Sequence, residues 1–346
     1  MKLLKVGIVG SGGIAQAVHI PGYQELPDVK VVALCDLNRA TLKAAAEKFG
    51  VEQTFTDYRQ MLRKVDPDIV SVCTPNADHA APTIAALKTG AHVLVEKPIA
   101  MNAAEGRQMV AAAKKAKRLL MVGFQNRYDP AAQFMRRSAG AGDFGEIYYG
   151  EAHYLRRRGI PGWGAFIEKK RSGGGALMDI GVHALDLALY IMGHPKPVSV
   201  AGAAFMKLGH RKDVVHGMGA FDVKRFDVDD FGVGLIRFAN GGLLLLKASW
   251  AANLEGGWNV SMIGTQGGFS LNPLKVYAER HGSLVDITPV DLPRVRTHFE
   301  EIRLFVEAIR KGRAAPIPGE NGLMATAILD AIYKSGEKGK EVRVEI

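Results

Sequence analysis

Over the first 123 residues, short runs of apolar side chains alternate with longer stretches of helical period. Residues 3–9, 29–35, 69–73, 92–95 and 119–122 are rich in Val, Ile and Leu and read as strands; helix-like stretches fill the gaps. Strands apolar enough to be buried on both faces, each followed by a helix, predict a parallel, doubly wound sheet. Asp57, Asp78 and Asn102 stand where the N-caps of intervening helices belong.

Beyond about residue 124 the period changes. Residues 145–153, 198–206, 231–238, 243–250 and 258–264 read as longer strands with few helices between them. Asn240-Gly241 carries the signal of a tight hairpin, so this second sheet is expected to be largely antiparallel. One strong helix is expected at 176–192. Phe299, Ile302, Val306 and Ile309 share one helical face, and 323–333 form another short amphipathic helix. Neither an internal repeat nor a low-complexity segment interrupts the pattern. A chain of 346 residues exceeds the roughly 250 to 300 at which single cores stop growing, so the change of period is read as a domain boundary: 1–123, then 124–346.

Composition narrows the class. With 47% apolar and 23% charged residues the chain is an ordinary globular one, and no run of about 18 apolar residues suggests a membrane span. The first ten residues run straight into a strand pattern without the apolar stretch of a secretory leader, so a cytoplasmic location is expected. Cys35 and Cys73 are the two cysteines, both near ends of buried strands, and both are expected to be free thiols. The net charge of +10 raises nucleic acid or a membrane surface as partners, but its distribution points to neither. Lys114, Lys115, Lys117 and Arg118 sit at a helix C-terminus, where cations suit the macrodipole. Arg156 to Arg158 and Lys169 to Arg171 flank Trp163 in a Gly-rich stretch that reads as a cleft border, a subunit interface or a solvated loop.

Candidate chemistry begins directly after the first strand, at Gly10-Ser11-Gly12-Gly13-Ile14-Ala15, a G-x-G-x-x-A loop that opens a helix. Glycines let a pyrophosphate approach the backbone, and the free N–H groups of the helix start hold its charge. Asp36 follows at the end of the second strand, placed to accept hydrogen bonds from ribose hydroxyls and to repel a 2′-phosphate, which favours NAD. Arg39, three residues on, keeps NADP open. Thr74-Pro75-Asn76 with His79, and Glu96-Lys97-Pro98, follow later strands and face the carboxyl edge of the sheet, where ligands bind in open α/β folds. Past the glycines at 173–175, Asp179, His183 and Asp186 fall at i, i+4 and i+7, a polar stripe on an otherwise apolar helix. Such a stripe needs a cleft or buried partners. Read alone it is a satisfied core cluster, an acid–base site or a metal site.

Together these motifs, with Gly123-Phe124-Gln125-Asn126-Arg127, the 173–186 segment and the closing Ala331-Ile332-Tyr333-Lys334-Ser335, closely resemble the Gfo/Idh/MocA family of glucose–fructose oxidoreductases and inositol dehydrogenases, over almost the whole chain. The resemblance implies an N-terminal Rossmann domain and a C-terminal α+β domain whose large, mostly antiparallel open sheet mediates homodimers or homotetramers. It implies an NAD(P)-dependent dehydrogenase acting on a carbinol of a sugar, anhydrosugar or inositol-like polyol, with no metal. Lys97, Asp179 and His183 would form the catalytic set, His183 or a relay through Lys97 taking the carbinol proton while Asp179 orients the pair. Gly10, Gly12, Gly13, Ile14, Ala15, Asp36, Arg39, Thr74, Pro75, Asn76, His79, Glu96, Lys97 and Gln125 would hold the cofactor, with a cis bond before Pro98. Besides the catalytic trio, Asn126, Arg127, His153, Arg158 and Trp163 are candidate substrate contacts, with ion pairing as the alternative for Arg127 and packing for Trp163. The same motifs fit a redox-neutral glycosidase or epimerase that oxidises transiently. A non-catalytic regulator fits less well, because all three catalytic residue types are retained.

Overall fold

The structure, a computed structural model, describes residues 2–215 and 217–346. The chain divides into two compact units, Met1–Gln125 with Arg296–Leu323, and Asn126–Val295 with Met324–Ile346. In the first, strands β1 (Leu4–Val9), β2 (Val29–Cys35), β3 (Gln53–Phe55), β4 (Ile69–Val72), β5 (His92–Glu96) and β6 (Leu120–Gly123) alternate with helices α1 (Ile20–Gln24), α2 (Arg39–Phe49), α3 (Tyr58–Val65), α4 (Ala80–Thr89) and α5 (Ala103–Ala116). The strands form one parallel sheet in the order β3-β2-β1-β4-β5-β6. Chain direction across the sheet reverses between β1 and β4, and such a switch point opens a crevice at the carboxyl ends of the strands. Strand β3 escaped the sequence reading because none of its three residues is buried.

Three helix starts in the first unit follow the capping rule. Asp57 and Asn102 accept main-chain N–H bonds at the starts of α3 and α5, as expected, and Asn38 does so for α2. Asp78 is different. It ends a 3-10 turn, Asn76–Asp78, and α4 starts two residues later, at Ala80, with His79 at the N-cap and no side-chain cap bond.

The second unit is built on nine strands: β7 (Ile147–Leu155), β8 (Pro197–Phe205), β9 (Phe231–Phe238), β10 (Leu243–Ser249), β11 (Gly257–Gly264), β12 (Gly267–Leu271), β13 (Leu274–Arg280), β14 (Ser283–Ile287) and β15 (Val342–Arg343). Their order is β14-β13-β12-β11-β7-β10-β9-β8-β15. Every pairing is antiparallel except β7 with β10, and Gly241, at φ +87°, makes the β9–β10 turn that Asn240-Gly241 predicts. Helices α6 (Pro130–Ala141), α7 (Lys169–Ser172), α8 (Val182–Ile191), α9 (Thr297–Lys311) and α10 (Gly319–Lys338) complete the chain.

Alternation along β10 defines the two faces of this sheet. Leu244, Leu246 and Ala248 are fully buried, and Gly181, just before α8, lies against Ala248 so closely that a Cβ there would come within 2.9 Å of the alanine methyl. Leu243, Leu245 and Lys247 point the other way and are half-exposed, while Phe205, Ile263 and Tyr277 on neighbouring strands are exposed. Among the described residues one helical run, 169–191, is long and apolar enough by composition to cross a membrane, which the reading of apolar runs did not register; 83% of its most apolar window is buried inside the protein, as in a core helix.

The division of the chain differs from a single cut after residue 123. Helix α9 belongs to the first unit: Ile302, Phe305 and Val306 are buried, and a Cβ on Gly22 of α1 would stand 2.6 Å from Ile302 Cδ1. The apolar face seen in the sequence is real. Nothing in its period says which unit it covers.

Candidate functional site

The glycine loop after β1 is shaped by close approach. Gly10 sits at φ +88°, and a Cβ there would lie 2.6 Å from the carbonyl carbon and oxygen of Cys73, so only glycine fits. Gly12 and Gly13 are the opposite case: no protein atom comes within 4 Å of where a Cβ would stand at either position. Internal packing therefore does not require glycine there, and the bare backbone is open to the approach of a ligand such as a dinucleotide pyrophosphate. Ile14 and Ala15 lead into a π-helical turn, Ala15–His19, that continues as α1.

Asp36 ends β2 beside this loop. Its Oδ2 accepts the Ser11 N–H at 2.8 Å and the Ser11 hydroxyl at 3.2 Å, and its Oδ1 accepts the Asn38 N–H at 2.8 Å. A carboxylate has about four acceptor positions, so these bonds leave room for one ribose hydroxyl rather than a full pair. Arg39 is exposed and lines a cleft of about 470 Å³ with Lys43, Glu47, Phe55 and Thr56.

At the carboxyl ends of β4 and β5 two loops are tied together. Thr74 and Asn76 are half-buried and Pro75 is exposed, with Thr74 Oγ1 donating to Asp78 O at 2.8 Å. His79 is fully buried, its Nδ1 at 2.8 Å from Pro98 O and its Nε2 at 2.8 Å from Thr74 O. Both ring nitrogens are thus turned onto main-chain carbonyls, and His79 is not presented to a cofactor as the sequence reading expected. Lys97 is half-buried, and the Lys97–Pro98 bond is cis. Gln125, half-buried, opens the 3-10 turn that follows β6.

Glu96 was also expected at the cofactor. Its Oε1 instead meets Nε2 of the fully buried His19 at 2.9 Å, and its Oε2 accepts the Lys97 N–H at 3.2 Å. Burial works to raise the Glu96 carboxyl, but the hydrogen bond and charge of His19, with Lys97 and His298 nearby, outweigh it and hold the group at about 2. Burial likewise opposes a charged His19 and keeps the adjacent Cys73 thiol neutral, which leaves the Glu96 carboxylate as the charge that holds the imidazole well above its usual value. Stability from the lowered carboxyl is present above its ordinary 4.5 and is lost as pH falls toward about 2; stability from the raised imidazole is complete below its ordinary 6.5 and is lost as pH rises through the folded value. Glu96→Gln is therefore expected to flatten the acid limb of a plot of Tm against pH, by at most about 3 kcal/mol. An acid limb identical to that of the unsubstituted protein would show that the pair is not ionised.

In the second unit the chemistry is carried by one helical run. Asp179 lies in a π-helical turn, Leu177–Gly181, that runs into α8, and His183 stands one turn on; both are half-buried. Asp179 Oδ2 accepts the indole N–H of Trp250 at 3.0 Å, and Trp250 is fully buried at the end of β10. The start of the run is held by Asp229, which is 6% exposed and accepts the N–H groups of Gly175 at 2.7 Å and Leu177 at 2.9 Å and the Tyr333 hydroxyl at 2.6 Å. Trp250, Asp229 and Tyr333 escaped the reading as functional residues. The Asp229-Asp230 pair was the available signal, but only the fold brings 229 to 175.

The polar stripe divides. Asp186, 1% exposed, is paired bidentately with Arg127, Nε to Oδ2 at 2.8 Å and Nη2 to Oδ1 at 2.6 Å, and Arg127 is 2% exposed. His194, lowered to about 4 by burial and by the charges of Arg127 and Arg136, faces Arg127 Nη2 at 3.1 Å as a neutral acceptor. Arg127 is thus a structural ion pair, the second of its two expected readings. His153 is a further correction. On β7 it is in register with Lys247, so it projects from the face opposite Ala248, against which Gly181 packs, and the structure does not bring it together with Asp179 and His183. Arg158 is pinned to the 252–253 loop, at 3.1 Å from Ala252 O and 2.7 Å from Asn253 Oδ1. Trp163 is 55% exposed, which does not fit a packing role. Among the described residues no three His, Cys, Asp or Glu side chains gather as a metal-ligand set.

Comparison with known proteins bears directly on this geometry. Residues 4–124 match the model of an oxidoreductase family with an NAD-binding Rossmann fold, and residues 132–270 match a GFO/IDH/MocA C-terminal domain. D-glucoside 3-dehydrogenase of Escherichia coli (strain K12) is 36% identical over 343 residues, covering 99% of this chain and 97% of that protein. Myo-inositol 2-dehydrogenase of Thermotoga maritima is 26% identical, covering 99% of each chain. Among solved structures, a levoglucosan dehydrogenase in complex with NADH superposes with a TM-score of 0.86 at 25% identity, covering 99% of each chain.

Proposed function

Because this chain belongs to the Gfo/Idh/MocA family of NAD-binding oxidoreductases, we propose that it oxidises a secondary carbinol of a D-glucoside-like sugar, with NAD as acceptor, and runs the reverse reduction under reducing conditions. The observation that carries the substrate class is the 36% likeness, along 99% of the chain, to a D-glucoside 3-dehydrogenase. In balanced form, R₂CH–OH and NAD⁺ give R₂C=O, NADH and H⁺. The nicotinamide, when bound, supplies the hydride acceptor.

The protein's own residues handle the proton. Lys97, Asp179 and His183 are the proposed acid–base set: His183 takes the carbinol proton directly or through Lys97, and Asp179, which accepts the Trp250 indole N–H, orients and charge-balances the pair. The glycine loop and Asp36 hold the dinucleotide, with Thr74, Pro75, Asn76 and Gln125 along the same sheet edge. Arg39 and Lys43 border the cleft beyond Asp36, but a carboxylate beside the ribose disfavours a 2′-phosphate, so NAD is the working cofactor. Trp163, exposed on its loop, offers an aromatic face for a sugar ring.

The partly exposed face of the nine-stranded sheet, with Leu243, Leu245, Phe205 and Tyr277, is covered in this proposal by a second copy of the chain, giving a homodimer or homotetramer. Mass by light scattering tests it, and a monomer at assay concentration sinks it. Free, buried Cys35 and Cys73 suit a reducing compartment, and we propose the cytoplasm.

The decisive experiment follows absorbance at 340 nm with NAD and a panel of methyl D-glucosides, inositols and levoglucosan. Sustained NADH formation with glucosides is the expected result. Binding of NAD with no net NADH from any member, while the sugar itself is epimerised or hydrolysed, would replace the dehydrogenase with a redox-neutral enzyme. In the same assay Asp36→Ala is expected to raise the KM for NAD about tenfold or more, the loss of a charged hydrogen bond, and the KM for NADP much less.

A further inference from the structure

We propose that His19 and His79 are positioning residues that clamp the Lys97 segment, from its two sides, to the two loops that face the dinucleotide. The proposal rests on the reading of Lys97 as the acid–base lysine.

On one side the connection runs through Glu96. His19 lies in the π-helical turn that directly continues the glycine loop, and π-turns inside helices commonly mark functional positions. Its Nε2 meets Glu96 Oε1 at 2.9 Å, while its Nδ1 faces Ser71 Oγ at 3.2 Å, itself 3.0 Å from the Tyr23 hydroxyl. Glu96 Oε2 then accepts the main-chain N–H of Lys97 at 3.2 Å. A displacement of the phosphate-binding helix is thereby felt at Lys97 through two polar contacts.

On the other side the connection is a single ring. His79 bridges Pro98 O and Thr74 O, each at 2.8 Å, so the residue after Lys97 is tied to the Thr74-Pro75-Asn76 loop. Both acceptors are carbonyls, and burial holds the ring below its usual pKa, so the neutral imidazole donates to one of them at a time and packs against the other.

Packing alone does not account for this arrangement. His19 and His79 are both fully buried, and an apolar side chain of similar size would fill either volume without the cost of desolvating an imidazole. What the two rings do that a leucine would not is fix the residues on either side of Lys97 relative to the Gly10–Gly13 and Thr74–Asn76 loops. Misplacement of a reacting group by about 1 Å costs on the order of 10²-fold in rate, so a clamp of this kind acts on kcat.

The test uses the full chain with His19→Gln and His79→Gln made separately. Gln keeps a neutral donor at each position but removes the rigid ring that spans the two partners. Oxidation of methyl β-D-glucoside and its 3-deuterated form is followed at saturating NAD, with the NADH Kd from fluorescence and Tm alongside. Each variant is expected to lose about 10- to 100-fold in kcat with KM and NADH Kd close to wild type, and to show a larger deuterium isotope effect on kcat as the chemical step becomes limiting. A kcat equal to wild type, or a loss that only tracks the folded fraction with the isotope effect unchanged, would overturn the clamp. If the unsubstituted enzyme does not oxidise the glucoside, the substrate reading fails and the clamp is still decided by labelling. The rate at which acetic anhydride acetylates Lys97, read by peptide mass spectrometry, is then compared with and without NADH. The clamp requires an NADH-dependent change in the wild type that falls by half or more in each variant that folds; an undiminished change overturns it. Should one variant not fold, the other carries the test at its own side of Lys97.

Discussion

His183→Asn is expected to lower kcat for carbinol oxidation by about 10²- to 10⁴-fold, the usual worth of a general acid–base group, while leaving NADH binding near its wild-type strength. Asn matches the imidazole in polarity and comes near it in size, but it exchanges no proton. The helix should survive the change, since its start is fixed by the Asp229 bonds to Gly175 and Leu177 and its apolar side is sealed by Leu185, Leu187, Leu189 and Ile191, each at most 1% exposed. Burial of such side chains is worth about 1.5 to 3 kcal/mol apiece, far more than one half-buried polar contact. The glycine loop and Asp36 lie in the other unit, which is why cofactor affinity serves as the internal control. The experiment measures steady-state rates across pH together with the NADH Kd. Unchanged turnover removes His183 from the mechanism, and a parallel loss of NADH affinity would mean the substitution had disturbed more than the proton.

What the residues disclosed in advance, and what they withheld, follows from the kind of information each pattern carries. Gly10, Asp36 and Lys97 were legible because each stands at the end of a strongly apolar strand, where the chain must turn and where a doubly wound sheet opens. The i, i+4 relation of Asp179 and His183 was legible because helical period is local. Strands β12 to β14 were not read, since β13 and β14 alternate mostly exposed residues and only Val276 among them is buried. His153 failed for a related reason: alternation assigns side chains to two faces, but which face meets the helix is decided by Ala248 and Gly181, far along the chain. The return of α9 to the first unit, the parallel pairing of β7 with β10, and the partners of Glu96 and His79 are all long-range facts. Each depends on a contact between segments tens of residues apart, and no window of sequence contains both sides.

Arg127 is where these two kinds of information meet, and its substitution separates them. Arg127→Ala is expected to destabilise the second unit by about 3 to 5 kcal/mol, because it leaves the Asp186 carboxylate, 1% exposed, buried without its bidentate partner. For a unit of this size each kcal/mol moves Tm by about 2 to 4 °C, so a fall of about 6 to 20 °C is expected. The Tyr190 ring, 5.0 Å from the guanidinium, loses its cation contact as well, and His194 loses the donor it faces. Removing both charges should cost much less than removing one: in Arg127→Met with Asp186→Leu the uncompensated carboxylate is gone, and a double-mutant cycle should show a large favourable coupling. Kinetics then discriminate between the two roles this arginine was given. An ion pair that only holds α8 leaves KM for the sugar and kcat per folded molecule near wild type below the lowered Tm. A substrate contact does the reverse, raising KM by tenfold or more with Tm unmoved, since loss of one charged hydrogen bond to a ligand is worth about 1.5 to 3 kcal/mol. Finding that second pattern would return Arg127 to the substrate and leave Asp186 to be explained some other way.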